Sequence, residues 1–293
     1  MKVILSRKGF DQKYGGSPSP YFVEEGILYS FPIPNDDNYY TYRDLRFNHS
    51  LSCYELMDQL GVETRDMHAH TDPDIRKDLF YQPEADWMPI LGQQDKADSH
   101  LWKQGIRKDD IFLFYGLFQE VKKQNGQYAF VPDTQRHIIW GYMQVGADPM
   151  PITPYAPERK HPHFYCKEDY LNQKVRNTAY IGRNTLSADN VLPGYGTFRY
   201  ADDLVLSVRP GKGNFSTWRL PYFFYECKMT CRPGAGDWFI LENDPNHSFM
   251  YNKRQGQEFV IPYSNSKSQN CKNAHSAEAV EWAINLIRSS YDK

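Results

Sequence analysis

The chain has 293 residues, a formal net charge of −2 and a sequence pI near 6.5. That balance excludes a protein that coats duplex nucleic acid by charge alone, which requires many phosphate neutralisations. It leaves room for a pocket in which a few basic groups hold one nucleotide. No run of about twenty apolar residues is present, so no membrane span is expected. Five cysteines, an odd number, and a Met1 that runs straight into an apolar segment set the expectation of a leaderless cytoplasmic protein with reduced thiols. Aromatic residues make up 15% of the chain, with 22 Tyr and 17 Phe. Most are expected in the core or on the surface, and some are available to stack on a base.

Val3-Ile4-Leu5 predicts a first strand that runs into a long polar loop, from Ser6-Arg7-Lys8-Gly9-Phe10-Asp11 through Gly15-Gly16 to Pro18-Ser19-Pro20. Gly26 to Pro34 predicts a second strand closed by prolines. Leu56, Met57 and Leu60 at helical spacing predict a helix from Cys53 that stops near Gly61. Gly92 to Trp102 reads as a loop entering a helix that ends near Gly105. Asp109 to Phe118 reads as a buried strand, followed by a charged hairpin around Lys122 to Gln127 and a partner strand from Arg136 to Gly146.

The proline-rich stretch Pro149 to Pro162 predicts an extended crossing segment. A glycine-bearing loop, Leu192 to Tyr200, precedes a short strand at Leu204 to Val208. Further strands are expected at Trp218 to Phe224, Trp238 to Leu241 and Glu258 to Ile261. A last helix is expected with Ser276 as its cap and Val280, Ala283, Ile284 and Ile287 as its apolar stripe. No internal repeat or low-complexity tract divides the chain. The expectation is one domain over residues 1–293, of α/β (α+β) class: a mixed, largely antiparallel sheet or a barrel core, with a few flanking helices and long loops.

The candidate chemistry centres on the leading segment. Arg7 can fork onto a phosphate and Lys8 adds a point charge; Ser6 adds a hydroxyl. Asp11 shares that segment, and the neighbouring cations favour its charged form. This suits an electrostatic role or binding of a substrate hydroxyl, although an internal salt bridge competes with that reading. His68, His70, Asp72 and Asp74 alternate, so an extended segment would place four potential ligands on one face. Pro73 interrupts the pattern and no partner from another element is evident, so no metal site is expected. Asp72 and Asp74 are then candidate carboxylates beside a reacting centre. His100, in the predicted helix after Gln93, is a candidate proton carrier or a packed core residue. His161-Pro162-His163 reads as surface. Cys227 and Cys231 lack a second pair for a zinc shell and read as structural. No nucleophile elbow, phosphate-binding Walker loop or dinucleotide fingerprint is present.

Taken together, Ser6 to Asp11, Gly15-Gly16, Pro18-Ser19-Pro20, Asp72-Pro73-Asp74, Gly92-Gln93, Asp110 to Gly116 and Leu192-Pro193-Gly194 resemble the third family of nucleotide modification associated domains. Residues 92–146 also resemble, over a shorter span, the PUA and ASCH group of small β-barrels that hold bases. These resemblances imply a bacterial or phage protein tied to nucleotide or nucleic-acid modification, with DNA favoured over RNA.

The resulting expectation is a transferase or hydrolase acting on a nucleotide or DNA base. Asp11, Asp72, Asp74 and His100 would be its catalytic groups, and Ser6, Arg7, Lys8, Gln93 and Arg199 its substrate-binding groups. The alternatives are a non-catalytic reader of a modified base and a structural subunit of a larger complex. No cofactor and no protein partner is specified.

Overall fold

The computed structural model describes residues 1–152, 159–165, 176–211, 215–221, 238–243, 247–252, 258–261 and 276–291. The elements run β1 (Val3–Arg7), β2 (Ser19–Phe22), β3 (Ile27–Leu28), β4 (Ile33–Pro34), α1 (Cys53–Gln59), β5 (Ala69–His70), β6 (Ile90–Gln94) and α2 (Asp95–Lys103). They continue with β7 (Ile111–Gln124), β8 (Gln127–Phe130), β9 (Arg136–Gln144), β10 (Met150–Pro151), β11 (Asn177–Ile181) and β12 (Tyr195–Thr197). Last come β13 (Thr217–Pro221), β14 (Trp238–Asn243), β15 (His247–Asn252), β16 (Glu258–Ile261) and α3 (Ser276–Tyr291).

The organising element is β7, fourteen residues long and buried over its first nine. Its run of Ile, Phe, Leu and Tyr suits a strand covered on both faces. β1 lies parallel to it and β9 antiparallel, in the order β12-β9-β7-β1-β16, with β2 and β8 also paired to β7. The sheet is therefore mixed and open, in an α+β chain. β6 does not join it; it pairs with β11 in the separate sheet β10-β11-β6.

Two large apolar clusters flank the chain's opening. Val3, Ile4 and Leu5 belong to the one built on β7, β9 and α3. Phe10 belongs to the other, with Phe22, Tyr29, Phe31, Tyr42 and the buried face of α1. Ser6 to Gly9 is thus the polar link by which the backbone passes from one cluster to the other. At that link Lys8 N–H donates to the Tyr115 carbonyl at 2.8 Å. A Cβ added to Gly116 would lie 2.6 Å from the Lys8 carbonyl, so Gly116 lets the two strands approach there. Gly9, at φ +91°, then turns the chain away.

Several predicted elements shift. Ser6 and Arg7 are the last residues of β1, held by the ladder to Phe114 and Tyr115, and not loop. Ser19 and Pro20 open β2 and are not loop, because they find the far half of β7 as a parallel partner. The predicted strand at Gly26 to Pro34 splits into β3 and β4, which pair with different elements. Gly92 to Gln94 belongs to β6, and the helix starts only at Asp95. Leu204 to Val208 makes only isolated bridges, to Ile138 and Trp218, after a short 3₁₀ turn.

α1 begins with Ser52 and Glu55 capping each other's backbone N–H groups. α3 buries Ala279, Ala283, Leu286 and Ile287, leaving Val280 and Ile284 partly buried, so its stripe is rotated from the predicted one. Cys53 is a buried free thiol whose pKa burial pushes up to about 12. The other four cysteines, the Ser276 side chain, residues 153–158 of the proline-rich stretch and residues 222–224 lie outside the described residues. No helix among the described residues is long and apolar enough to cross a membrane.

Candidate functional site

A cleft of about 700 Å³ opens where β1 ends, within the range of small-molecule sites. Arg7 and Lys8 line it from the end of β1, His70 from the end of β5 and Asp72 from the segment after it. Gly92 and Gln93 contribute from β6, Glu258 from β16, and His163 from the segment preceding β11.

Asp72 is the centre of the cluster. Its side chain is 2% exposed, and it accepts a hydrogen bond from Lys8 Nζ at 2.7 Å on Oδ2 and from Gly92 N–H at 2.6 Å on Oδ1. His161 Nε2 approaches Oδ1 to 3.6 Å and His163 Nε2 approaches Oδ2 to 3.8 Å. Burial alone pushes a carboxyl up, but the Lys8 ammonium and the donor group of His161 outweigh it. They hold Asp72 well below the usual carboxylate range.

The neighbouring imidazoles behave oppositely. Burial lowers His163 to about 4 and His70 to about 3, the former despite the nearby Asp72 charge. Near neutral pH the charged Asp72 carboxylate therefore lies beside two neutral rings, His70 and His163. Gly92 explains how His163 comes so close: a Cβ there would overlap its ring.

Two more pairs complete the walls. Arg7 Nη2 bonds Asp11 Oδ2 at 2.8 Å, while Asp11 Oδ1 accepts the backbone N–H groups of Lys13 and Tyr14. Gln93 Nε2 donates to Glu258 Oε1 at 3.0 Å. The internal salt bridge weighed for Asp11 is thus present, and Arg7 nevertheless faces the cleft, with its side chain 12% exposed.

Of the residues expected from sequence, Arg7, Lys8, Asp11, Asp72 and Gln93 line this cleft. Ser6, Asp74, His100 and Arg199 are not among its lining residues. Ser6 is fully buried opposite Glu258 in the β1–β16 ladder. Asp74 accepts Trp87 Nε1–H at 2.9 Å, and burial holds its carboxyl well above the ordinary range. His100 is buried on α2 with its pKa lowered by burial. Arg199 is exposed and reaches the Glu25 carbonyl at 3.4 Å.

The His161-Pro162-His163 segment is not surface. Both imidazoles are buried against Asp72, which sequence spacing cannot reveal because the contact spans about ninety residues. Asn177 and Glu258 carried no sequence signal at all; each acquires its place from strand pairing alone. Among the described residues no group of three or more His, Cys, Asp or Glu side chains is arranged to hold a metal ion. Cys227 and Cys231 lie outside the described residues.

Fold and cleft together define an α+β protein with a mixed open sheet and a polar, mixed-charge cleft of small-molecule size at the end of a parallel strand. The chain matches the model of nucleotide modification associated domain 3 over residues 2–262, and it belongs to that family. The family's description points to nucleotide modification and to interaction with a nucleotide or nucleic acid. No curated protein and no solved structure matches the chain.

Proposed function

We propose that the protein is an enzyme that modifies a nucleotide, or a base within DNA, held in this cleft. The observation that carries the reading is the meeting of Asp72, Lys8 and His163 in one cleft wall beside Arg7 and Gln93. A buried anion, a cation and a neutral imidazole within hydrogen-bond range of a ligand are the ingredients of charge stabilisation and proton transfer. In this reading Arg7, which lines the cleft while paired with Asp11, turns part of its guanidinium fork towards the phosphate. Lys8 and Asp72 face the reacting centre.

Arg7→Ala tests the phosphate role. Arg7 and Asp11 are both largely buried, so stability should fall by about 2–3 kcal/mol, limited by the two backbone donors that Asp11 keeps. Nucleotide affinity should fall about tenfold or more, read by calorimetric titration. An unchanged affinity would count against the assignment.

One observation favours a second reading. Both cations of the leading segment already have carboxylate partners. In a non-catalytic reader of a modified base those pairs would be structural. Turnover of a nucleotide or oligonucleotide by the purified protein, lost in Asp72→Asn, separates the two readings.

A further inference from the structure

The two histidines of the His161-Pro162-His163 segment present opposite faces to Asp72. His161 Nδ1 receives the backbone N–H of His163 at 3.3 Å, so its proton sits on Nε2, towards Asp72 Oδ1. For His163 the polarity is reversed. The Asn177 side-chain amide donates to the His163 carbonyl at 3.1 Å, which fixes Asn177 Oδ1 as the acceptor facing His163 Nδ1 at 2.8 Å. A ring that donates from Nδ1 and is neutral carries a bare lone pair on Nε2. That lone pair lies 3.8 Å from Asp72 Oδ2, and both residues line the cleft.

Two acceptors side by side repel unless a donor lies between them. Lys8 supplies one hydrogen to Oδ2, but no contact satisfies His163 Nε2 among the described residues. The same ammonium, already on that oxygen, disfavours a metal cation as the missing partner. Phosphate, an acceptor itself, is repelled there. A group with two N–H bonds on one nitrogen answers both acceptors at once.

We propose that Asp72 Oδ2 and His163 Nε2 together bind the exocyclic amino group of a nucleobase, with Asn177 as the residue that positions the imidazole. The proposal rests on the reading of the cleft as a nucleotide site and narrows its ligand to adenine, cytosine or guanine. Thymine and uracil, with no amino group, leave the acceptor pair unanswered. A site built to accept hydrogen bonds discriminates strongly against an analogue that lacks the donor.

The test is calorimetric titration of the full chain with dAMP and dGMP each against dIMP, and with dCMP against dUMP, repeated with short single-stranded homo-oligonucleotides. At least one amino-bearing ligand should bind about tenfold or more tightly than its deaminated counterpart. In His163→Leu that ratio should collapse towards one. Equal affinity of wild type for both members of each pair overturns the proposal and leaves the nucleotide site standing; no binding of any ligand overturns both. A second measurement needs no variant. Long-range ¹⁵N–¹H correlation spectra of the unliganded protein should show neutral His163 protonated on Nδ1, and protonation on Nε2 overturns the proposal. Asn177→Leu should shift that tautomer and lower the amino preference together.

Discussion

Asp72 and Asp74 are two residues apart, both buried, and shifted in opposite directions. Asp72 sits at the cleft with an ammonium 2.7 Å away and is held ionised. Asp74 is turned towards Trp87, in the wall behind; burial dominates there, the Trp87 N–H lowers its pKa only in part, and nearby Glu84 raises it further. The difference shows that burial sets the default, the neutral acid, and that a close cation together with a donor imidazole reverses it. It also separates a cleft-lining group from a packing group within a three-residue segment. A carboxylate kept charged inside a cleft is available to a ligand, whereas one kept protonated against an indole is a packing element.

The largest expected effect comes from removing the cation. Lys8→Met leaves Asp72 charged and without its partner, and should cost about 3–5 kcal/mol of folding free energy. Urea denaturation near neutral pH would measure it. A loss under about 1 kcal/mol would mean that Asp72 does not depend on Lys8 for its charge. The double variant Lys8→Met/Asp72→Leu should recover much of the loss, because it removes the stranded anion as well.

An intermediate effect is expected at Gly92→Ala. The added methyl displaces the His163 ring, and overpacking of this kind costs about 1–3 kcal/mol. Ligand binding should weaken more than the stability change accounts for, since the ring moves away from Asp72. A variant with wild-type affinity would show that His163 does not need its present position.

The smallest effect is expected at Asp74→Asn, and it sharpens the comparison through pH. Asp74 has a folded pKa raised above its ordinary 3.8. Its contribution is therefore fully present below 3.8 and is lost as pH rises through the raised value. Asp72 is the reverse: its contribution is present above 3.8 and is lost as pH falls through its depressed value. An amide in place of Asp74 mimics the protonated acid and still accepts the Trp87 N–H. The variant should sit within about 1 kcal/mol of wild type where Asp74 is protonated. It should also lack the decline that wild type shows as pH rises from about 4 upward, read from thermal midpoints across pH. A decline identical in both proteins would move the titration elsewhere.

Much of the scaffold was legible along the chain. The apolar run at Val3-Ile4-Leu5, the buried strand expected at Asp109 to Phe118, the charged hairpin around Lys122 to Gln127 and the partner strand from Arg136 are local patterns, and each is found close to its expected place. The misreadings share a cause. Ser19-Pro20 and Gly92 to Gln94 looked like loop because proline, glycine and glutamine weaken a strand signal; pairing to β7 and β11 overrode that propensity. His161 and His163 looked like surface because histidines beside a proline usually are, until Asp72 and Asn177 were brought against them.

By itself, the sequence determined the class of the fold, the leading Arg7-Lys8 pair and the candidacy of Asp11, Asp72 and Gln93. Those are properties of residue type, short-range spacing and resemblance. Only the tertiary structure decided which groups share a site. It turned Asp72 into the cleft and Asp74 away from it, left His100 and Arg199 outside the lining, and brought in His163, Asn177 and Glu258. Protonation followed the same division: a charge is fixed by what lies within a few ångströms, and those neighbours come from strands far apart in the chain.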